Sequence, residues 1–170
     1  MSKVRILGVD PGSRFTGWGV IEQEGSQIKH LASGRIEAHK AGELPERLVM
    51  IYDQLAEVLW EYRPDESALE KIFVSVNGQS TLVLGQARGA ALLGLAKGGV
   101  APAEYSATQV KSAVVGQGRA GKDQVNAMVQ VILGLQGQKL LEDQADALAV
   151  AICHANSRHF SQAALGRAGR

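Results

Sequence analysis

The sequence predicts an α/β fold, and three observations support this class. An apolar run from Val4 to Val9 ends in the turn residues Asp10-Pro11-Gly12, a pattern typical of a strand buried on both faces. A second apolar stretch at 16–21 follows at hairpin distance, and a third strand is expected at 31–38. Residues 45–62 then place apolar side chains at helical spacing, which indicates an amphipathic helix after the strands.

The rest of the chain is predicted to alternate between short strands and helices. Residues 67–70 are the expected end of a fourth strand, which lies parallel to an earlier strand if helix 45–62 is a right-handed crossover. A fifth strand is expected at 103–107. The remaining helices are predicted at 79–97, 108–115, 122–135 and 141–158. We expect residues 1–160 to form a single domain and 161–170 to be a disordered tail.

Small residues crowd the predicted helix at 79–97. They are Gly85, Ala87, Gly89, Ala90, Ala91 and Gly94. Such a narrow helix surface indicates a neighbour packed close, within the chain or across a subunit boundary.

Composition limits the class of protein. The 170 residues carry 18 Lys and Arg against 17 Asp and Glu, so a strongly basic coat is excluded, although a local basic face is not. The only cysteine is Cys153, so no internal disulfide can form and a reducing cytoplasm is the expected location. No apolar run is long enough to span a membrane.

Acidic residues occupy positions where an isolated charge is costly. Asp10 follows a buried strand, where it either accepts hydrogen bonds from the turn amides or binds a cation. Glu70 ends the fourth strand, although Glu is depleted in strands; the alternative is a solvated edge residue. Asp143 and Asp146 share one face at the start of an apolar helix, with Cβ atoms about 5–6 Å apart.

Each acid of the helix pair alone would suit the helix dipole, but two on one face repel each other. Four converging carboxylates without a His or Cys cluster favour a hard cation, Mg²⁺ or Mn²⁺. Two such ions per subunit, about 3.5–4 Å apart, would suit phosphodiester hydrolysis.

Several segments, in order from about residue 5 to 155, carry a family resemblance. They are Gly8-Val9-Asp10-Pro11-Gly12-Ser13-Arg14 with Thr16-Gly17, Leu69-Glu70-Lys71-Ile72-Phe73 with Asn77, Leu84-Gly85-Gln86-Ala87-Arg88-Gly89, Tyr105-Ser106-Ala107-Thr108-Gln109-Val110-Lys111 with Val114-Val115-Gly116, and Asp143-Gln144-Ala145-Asp146-Ala147-Leu148-Ala149. In these segments the sequence resembles the RuvC family of bacterial Holliday-junction resolvases.

The resemblance implies an RNase H-like fold, a five-stranded mixed sheet flanked by helices with the first strand central. It implies a homodimer that cuts opposing strands of four-way junction DNA symmetrically, in recombination and repair, together with the RuvA–RuvB branch-migration complex. It also implies Mg²⁺-dependent hydrolysis, with Asp10, Glu70, Asp143 and Asp146 as the metal-binding catalytic acids. Some members of the family have His at the position of Asp143.

DNA contacts are expected from one aromatic and three basic residues. By resemblance, Phe73 stacks on bases near the crossover, and Lys111 and Lys122 contact DNA. Arg119 lies with them around a glycine-rich loop, where basic side chains can neutralise phosphates. The alternatives are a core position for Phe73 and solvated side chains for the lysines.

Other interpretations have weaker support. Residues 116–121 fit the pattern G-x-G-x-x-G, but a nucleotide loop of this kind needs a preceding strand, and a helix is predicted there. The hairpin after Asp10 is similar to the phosphate loop of actin–Hsp70-like ATPases, which need two such domains. A junction-binding module without cleavage would not need four acids. Cys153 is expected to be a buried core residue and His154 to be partly exposed, without forming a nucleophile pair.

Overall fold

The computed structural model describes residues 2–72 and 76–168, and in 159–168 it describes the backbone only. A five-stranded sheet forms the centre. Its strands are β1 (Val4–Asp10), β2 (Thr16–Glu24), β3 (Gln27–Ile36), β4 (Glu66–Glu70) and β5 (Ala103–Tyr105). The helices are α1 (Leu44–Tyr62), α2 (Gly78–Lys97), α3 (Ala107–Val115), α4 (Lys122–Leu133) and α5 (Glu142–Ala168), and a short 3₁₀ helix covers Ala38–Ala41.

The strand order is β3-β2-β1-β4-β5, so β1 is central. β1, β2 and β3 form an antiparallel meander, whereas β4 pairs in parallel with both β1 and β5. Helix α1 is thus the crossover between the meander and β4. The predicted mixed five-stranded sheet is confirmed, including the parallel fourth strand.

Side chains of β1 alternate between two separate cores. Ile6 packs with residues of α3, α4 and α5 on one face of the sheet, whereas Leu7 and Val9 pack with α1 and α2 on the other. All three are fully buried. A strand covered on both faces has to be apolar where it is buried, so residues 6–9 are apolar, with Arg5 at the exposed start and Asp10 where the strand ends.

Some element boundaries differ from the prediction. β3 begins at Gln27 rather than at 31, because a turn at Gly25-Ser26 joins it tightly to β2. β5 ends at Tyr105, since the Ser106 side chain accepts a hydrogen bond from the amide of Gln109 and caps α3. α5 continues to Ala168, ten residues beyond its predicted end at Arg158, where a disordered tail was expected from 161.

Among the residues described, none of the helices combines the length and the apolar character needed to cross a bilayer.

Candidate functional site

The site lies at the edge of the sheet where β1 and β4 end. Val9 pairs in parallel with Leu69, so the next residues, Asp10 and Glu70, leave neighbouring strands at the same edge. Parallel strands place their carboxyl ends together, and this is where α/β folds collect functional groups.

Helix α5 reaches this edge because glycines leave room for its backbone. A Cβ atom on Gly17, the β2 residue paired with Asp10, would lie 1.9 Å from the Asp143 carbonyl oxygen. A Cβ atom on Gly8 would lie 2.1 Å from the Ala147 carbonyl oxygen. Direct contact between the helix and the sheet therefore sets the first turn of α5 beside Asp10.

Gln144 fixes the start of α5. Its side-chain oxygen accepts a hydrogen bond from the Leu141 amide (3.0 Å), and its side-chain nitrogen donates to Ser33 Oγ on β3 (3.3 Å). Asp143 and Asp146 flank this residue. Their direction is therefore set both by the helix start and by its attachment to the sheet.

A cavity of about 330 Å³ opens between these elements. Three of the predicted acids, Asp10, Glu70 and Asp146, line it together with Lys111 and Lys122. The structure thus brings together side chains from β1, β4, α3, α4 and α5. Asp143 is close enough to raise the pKa of Asp10, but it does not line the cavity.

Asp10 is the most perturbed acid of the site. Loss of water around its carboxyl, followed by repulsion from Asp146, Glu70 and Asp143, raises its pKa to about 8. The pKa values of Glu70 and Asp146 are also raised, first by desolvation. Nearby carboxylates in a poorly hydrated place cannot all ionise without a compensating cation.

Two basic side chains pair with the acids of α5. Lys122 Nζ contacts the Glu142 carboxylate and lies 3.9 Å from Asp146 Oδ2. Arg35 Nη1 on β3 lies 3.4 Å from Asp143 Oδ2. Lys111 lowers the pKa of Glu70 and of Asp146, although desolvation outweighs this effect at both acids. Lys111 and Lys122 thus lie at the cavity rather than on a remote surface.

The acids suit a hard divalent cation by their chemistry, since all four offer carboxylate oxygens and share an excess of negative charge. Within the described ranges 2–72 and 76–168, no three His, Cys, Asp or Glu side chains are arranged to hold a metal ion as they stand.

The structure describes some of the predicted DNA-contacting residues and not others. Phe73 lies outside the described residues, so its role stays a prediction. Arg119 is exposed in the loop 116–121. This loop follows helix α3, with Gly116 in the left-handed conformation (φ 85°), and the absence of a preceding strand argues against a nucleotide-binding loop, as predicted.

Sequence reasoning did not assign roles to Arg35 or Arg88. Arg88 of α2 lines a neighbouring cavity of about 240 Å³ with Asp10 and Glu70, and its Nη2 lies 2.8 Å from Glu104 Oε1. Arg88 lies in a segment that carries the family resemblance, and this segment could have indicated a role for it. Arg35 had no such signal, because its contact depends on the pairing of β2 with β3.

The prediction for His154 was wrong. The side chain is buried, its Nδ1 lies 2.8 Å from the Tyr105 hydroxyl, and its Nε2 lies 2.6 Å from Glu66 Oε2. Cys153 is buried as predicted, and desolvation raises the pKa of its thiol to about 11. A thiol with such a pKa is not a nucleophile at neutral pH.

Comparison with known proteins gives consistent matches over most of the chain. The family described as crossover junction endodeoxyribonuclease RuvC matches residues 6–154. The crossover junction endodeoxyribonuclease RuvC of Cupriavidus metallidurans is 55% identical over 90% of this chain and 84% of its own length. That of Ralstonia nicotianae is 52% identical over 97% and 91%.

Solved structures agree with the sequence matches. The structure of T. thermophilus RuvC in complex with a Holliday junction substrate superposes with a TM-score of 0.87 at 32% identity, covering 93% of this chain and 96% of that one. Both the sequence and the arrangement of its elements therefore lead to one conclusion: the chain belongs to the RuvC family of crossover junction endodeoxyribonucleases.

Proposed function

We propose that this chain resolves four-way DNA junctions by Mg²⁺-dependent, symmetric hydrolysis of phosphodiester bonds in opposing strands, in recombination and repair. The observation that supports it best is the shared cavity, in which Asp10, Glu70 and Asp146 meet two lysines. Desolvation, followed by repulsion from the other acids, raises the pKa of Asp10, so the ionised acids call for a cation, and the lysines suit a phosphate. Membership of a family of junction endonucleases supplies the substrate class.

The four acids have distinct places in this proposal. Asp10 and Glu70 approach the metal site from the sheet, whereas Asp143 and Asp146 approach it from α5. When bound, one or two Mg²⁺ ions would lower the pKa of a water molecule and neutralise charge on the leaving oxygen. Mn²⁺ has the same preference for oxygen ligands and would substitute.

The basic side chains would position the DNA. Lys111 and Lys122 line the cavity, so the phosphate that they neutralise lies next to the acids. Arg119 is exposed nearby in sequence and would contact the backbone further out. Phe73, predicted from the sequence, would stack on a base near the crossover, an interaction worth about 1–3 kcal/mol.

A homodimer would place two such sites on one junction. The surface that favours it is an exposed stripe on α2, formed by Leu82, Gly85, Gly89 and Leu93. These residues are spaced by three or four, so they share one helix face. The further proposals, cooperation with the RuvA–RuvB complex and a cytoplasmic location, rest on the family resemblance and the single buried cysteine.

Cleavage of an end-labelled four-way junction tests the proposal, beside a linear duplex of the same sequence, with Mg²⁺ and with EDTA. Paired, symmetric nicks in the junction alone, abolished by EDTA, are the expected result. Cutting of both DNAs would contradict junction selectivity. Binding without any cutting would favour a junction-binding module.

Asp143→Asn is the companion variant. It keeps the size of the side chain and removes its charge, so the expected result is loss of cleavage with folding and junction binding nearly intact. Loss of binding as well would contradict a catalytic role for Asp143.

A further inference from the structure

Arg35 is held beside Asp143 by the pairing of the strands. It lies opposite Gly17 in the β2–β3 pair, and Gly17 is the residue on which the Asp143 carbonyl rests. The guanidinium carbon lies 4.1 Å from the centre of the Phe15 ring, which fixes the plane of the group. From this position Nη1 contacts Asp143 and Nη2 contacts Glu37, both at 3.4 Å.

Both ion pairs of Arg35 are long. Charge-assisted contacts of this type are usually about 2.7–2.9 Å, so each pair directs its carboxylate but is weak enough to be exchanged. Arg35 Nε is buried and has no hydrogen-bond partner among the described residues. Glu37 also pairs with Lys40. The guanidinium is therefore shared between two acids. If one of them moves away, the other still neutralises the charge of Arg35.

Asp143 is the predicted acid that stays outside the cavity lined by Asp10, Glu70 and Asp146. Its carboxylate oxygen Oδ2 faces Arg35 instead. We propose that Arg35 is a positioning residue that competes with the divalent cation for Asp143. It holds the carboxylate aside in the metal-free chain and retains Glu37 as its counter-ion when Asp143 turns to the metal. This inference rests on the metal site of the proposed function.

Calcium binding to the full chain without DNA, measured by calorimetry, tests the competition without depending on cleavage. Arg35→Gln removes the competing cation, so Ca²⁺ should bind about two- to fivefold more tightly, the range expected for losing a partly exposed ion pair. Arg14→Gln is the matched control, because Arg14 also lies against the Phe15 ring, at 5.9 Å. It should tighten binding less.

The Asp143→Asn background separates a direct effect from a general change in charge. If Arg35 acts through Asp143, adding Arg35→Gln to Asp143→Asn should bring no further gain in Ca²⁺ affinity. An equal gain in both backgrounds would overturn the proposal, as would an equal effect of Arg14→Gln. Absence of Ca²⁺ binding to both the unmutated chain and Arg35→Gln would contradict the metal site itself. If Arg35→Gln binds Ca²⁺ no more tightly than the unmutated chain does, only the role of Arg35 is contradicted.

A second measurement uses the unmutated protein, in case Arg35→Gln folds poorly. In ¹⁵N nuclear magnetic resonance spectra, saturating Ca²⁺ should shift the Arg35 Nε–H signal and shift that of Arg14 less. An Arg35 signal that does not move on Ca²⁺ binding would overturn the proposal.

Discussion

Asp10 shows how one residue couples the fold to a bound cation. Its carboxyl has lost water and faces three other acids, and its pKa is raised to about 8. In the unfolded chain its pKa is close to 3.8. Between these values the folded protein holds a proton that the unfolded chain has lost, so rising pH destabilises the metal-free fold.

The first prediction concerns this pH dependence. In EDTA, the melting temperature should fall as pH rises from about 5 to about 8, by an amount equivalent to roughly 1.4 kcal/mol for each pH unit crossed in that range. Asp10→Asn should remove most of this slope, and Ca²⁺ added at pH 8 should restore stability to the unmutated chain.

Asp53→Asn is the control for that experiment. Asp53 is an exposed acid on α1, remote in sequence from the site, and its replacement should leave the slope unchanged. A melting temperature that stays constant from pH 5 to pH 8 in EDTA would contradict the raised pKa of Asp10.

The second prediction concerns the lysines of the cavity. Lys111→Gln removes one phosphate contact, so the slope of log K for junction binding against log salt should flatten by about 0.9. The same change at Lys97, an exposed residue at the end of α2, should leave the slope as it was. Equal slopes for both variants would place Lys111 outside the DNA contact.

At the scale of the elements, the close contact between α5 and the sheet determines the site. The helix start carries two of the four acids, and Gly17 is the point where its backbone meets β2. A Cβ atom on Gly19, two residues along the same strand, would instead meet the Leu148 side chain, with Cδ2 at 2.5 Å. A substitution at Gly17 therefore tests a contact with the helix backbone, whereas one at Gly19 tests a contact with a side chain.

The third prediction follows from this difference. Gly17→Ala should destabilise the protein by about 3 kcal/mol, the upper end of the range for overpacking, because the helix backbone has to move. Gly19→Ala should cost less, since the new methyl group would meet side-chain atoms of Leu148 rather than the helix backbone. Urea unfolding measures both free energies, and Ca²⁺ calorimetry should show weaker binding for Gly17→Ala alone. Equal costs for the two variants would contradict the role of the backbone contact.

The elements were largely predictable from the sequence, whereas contacts between them were not. The apolar run before Asp10 identifies β1, because a strand buried on both faces is continuously apolar. The apolar stripe of 45–62 identifies α1, because a helix buried on one face is apolar at helical spacing. Asp10 and Glu70 could be predicted as site residues because each ends a strand. Arg35 and His154 could not, since their partners, Asp143 and Glu66, lie 108 and 88 residues away along the chain.

At the scale of the whole molecule, two helical layers enclose the sheet and have different tasks. The layer of α3, α4 and α5 supplies Lys111, Lys122 and Asp146 to the cavity. The layer of α1 and α2 covers the other face of the sheet. The exposed stripe of α2 therefore lies in the helical layer that does not contribute the lysines.

Large apolar side chains on that stripe are unusual for a surface exposed to water. Leu82 is 64% exposed and Leu93 is 61% exposed, and between them a side chain added at Gly85 or Gly89 would point into open space. Exposed apolar patches mark interaction sites, and a glycine-lined groove between two leucines allows a second helix to approach closely.

The fourth prediction is that Leu93→Asp converts a dimer into a monomer. The unmutated chain should have about twice the mass of 18.0 kDa by light scattering after size exclusion, and Leu93→Asp should have the monomer mass, because an unpaired carboxylate would be buried in the interface. Val131→Asp is the matched control, since Val131 is 55% exposed on α4, in the other layer, and should leave the dimer intact. If both variants remain dimers, the interface lies elsewhere. If the unmutated chain is a monomer even on junction DNA, paired cuts by a dimer lose their basis, because each site would then have to act alone.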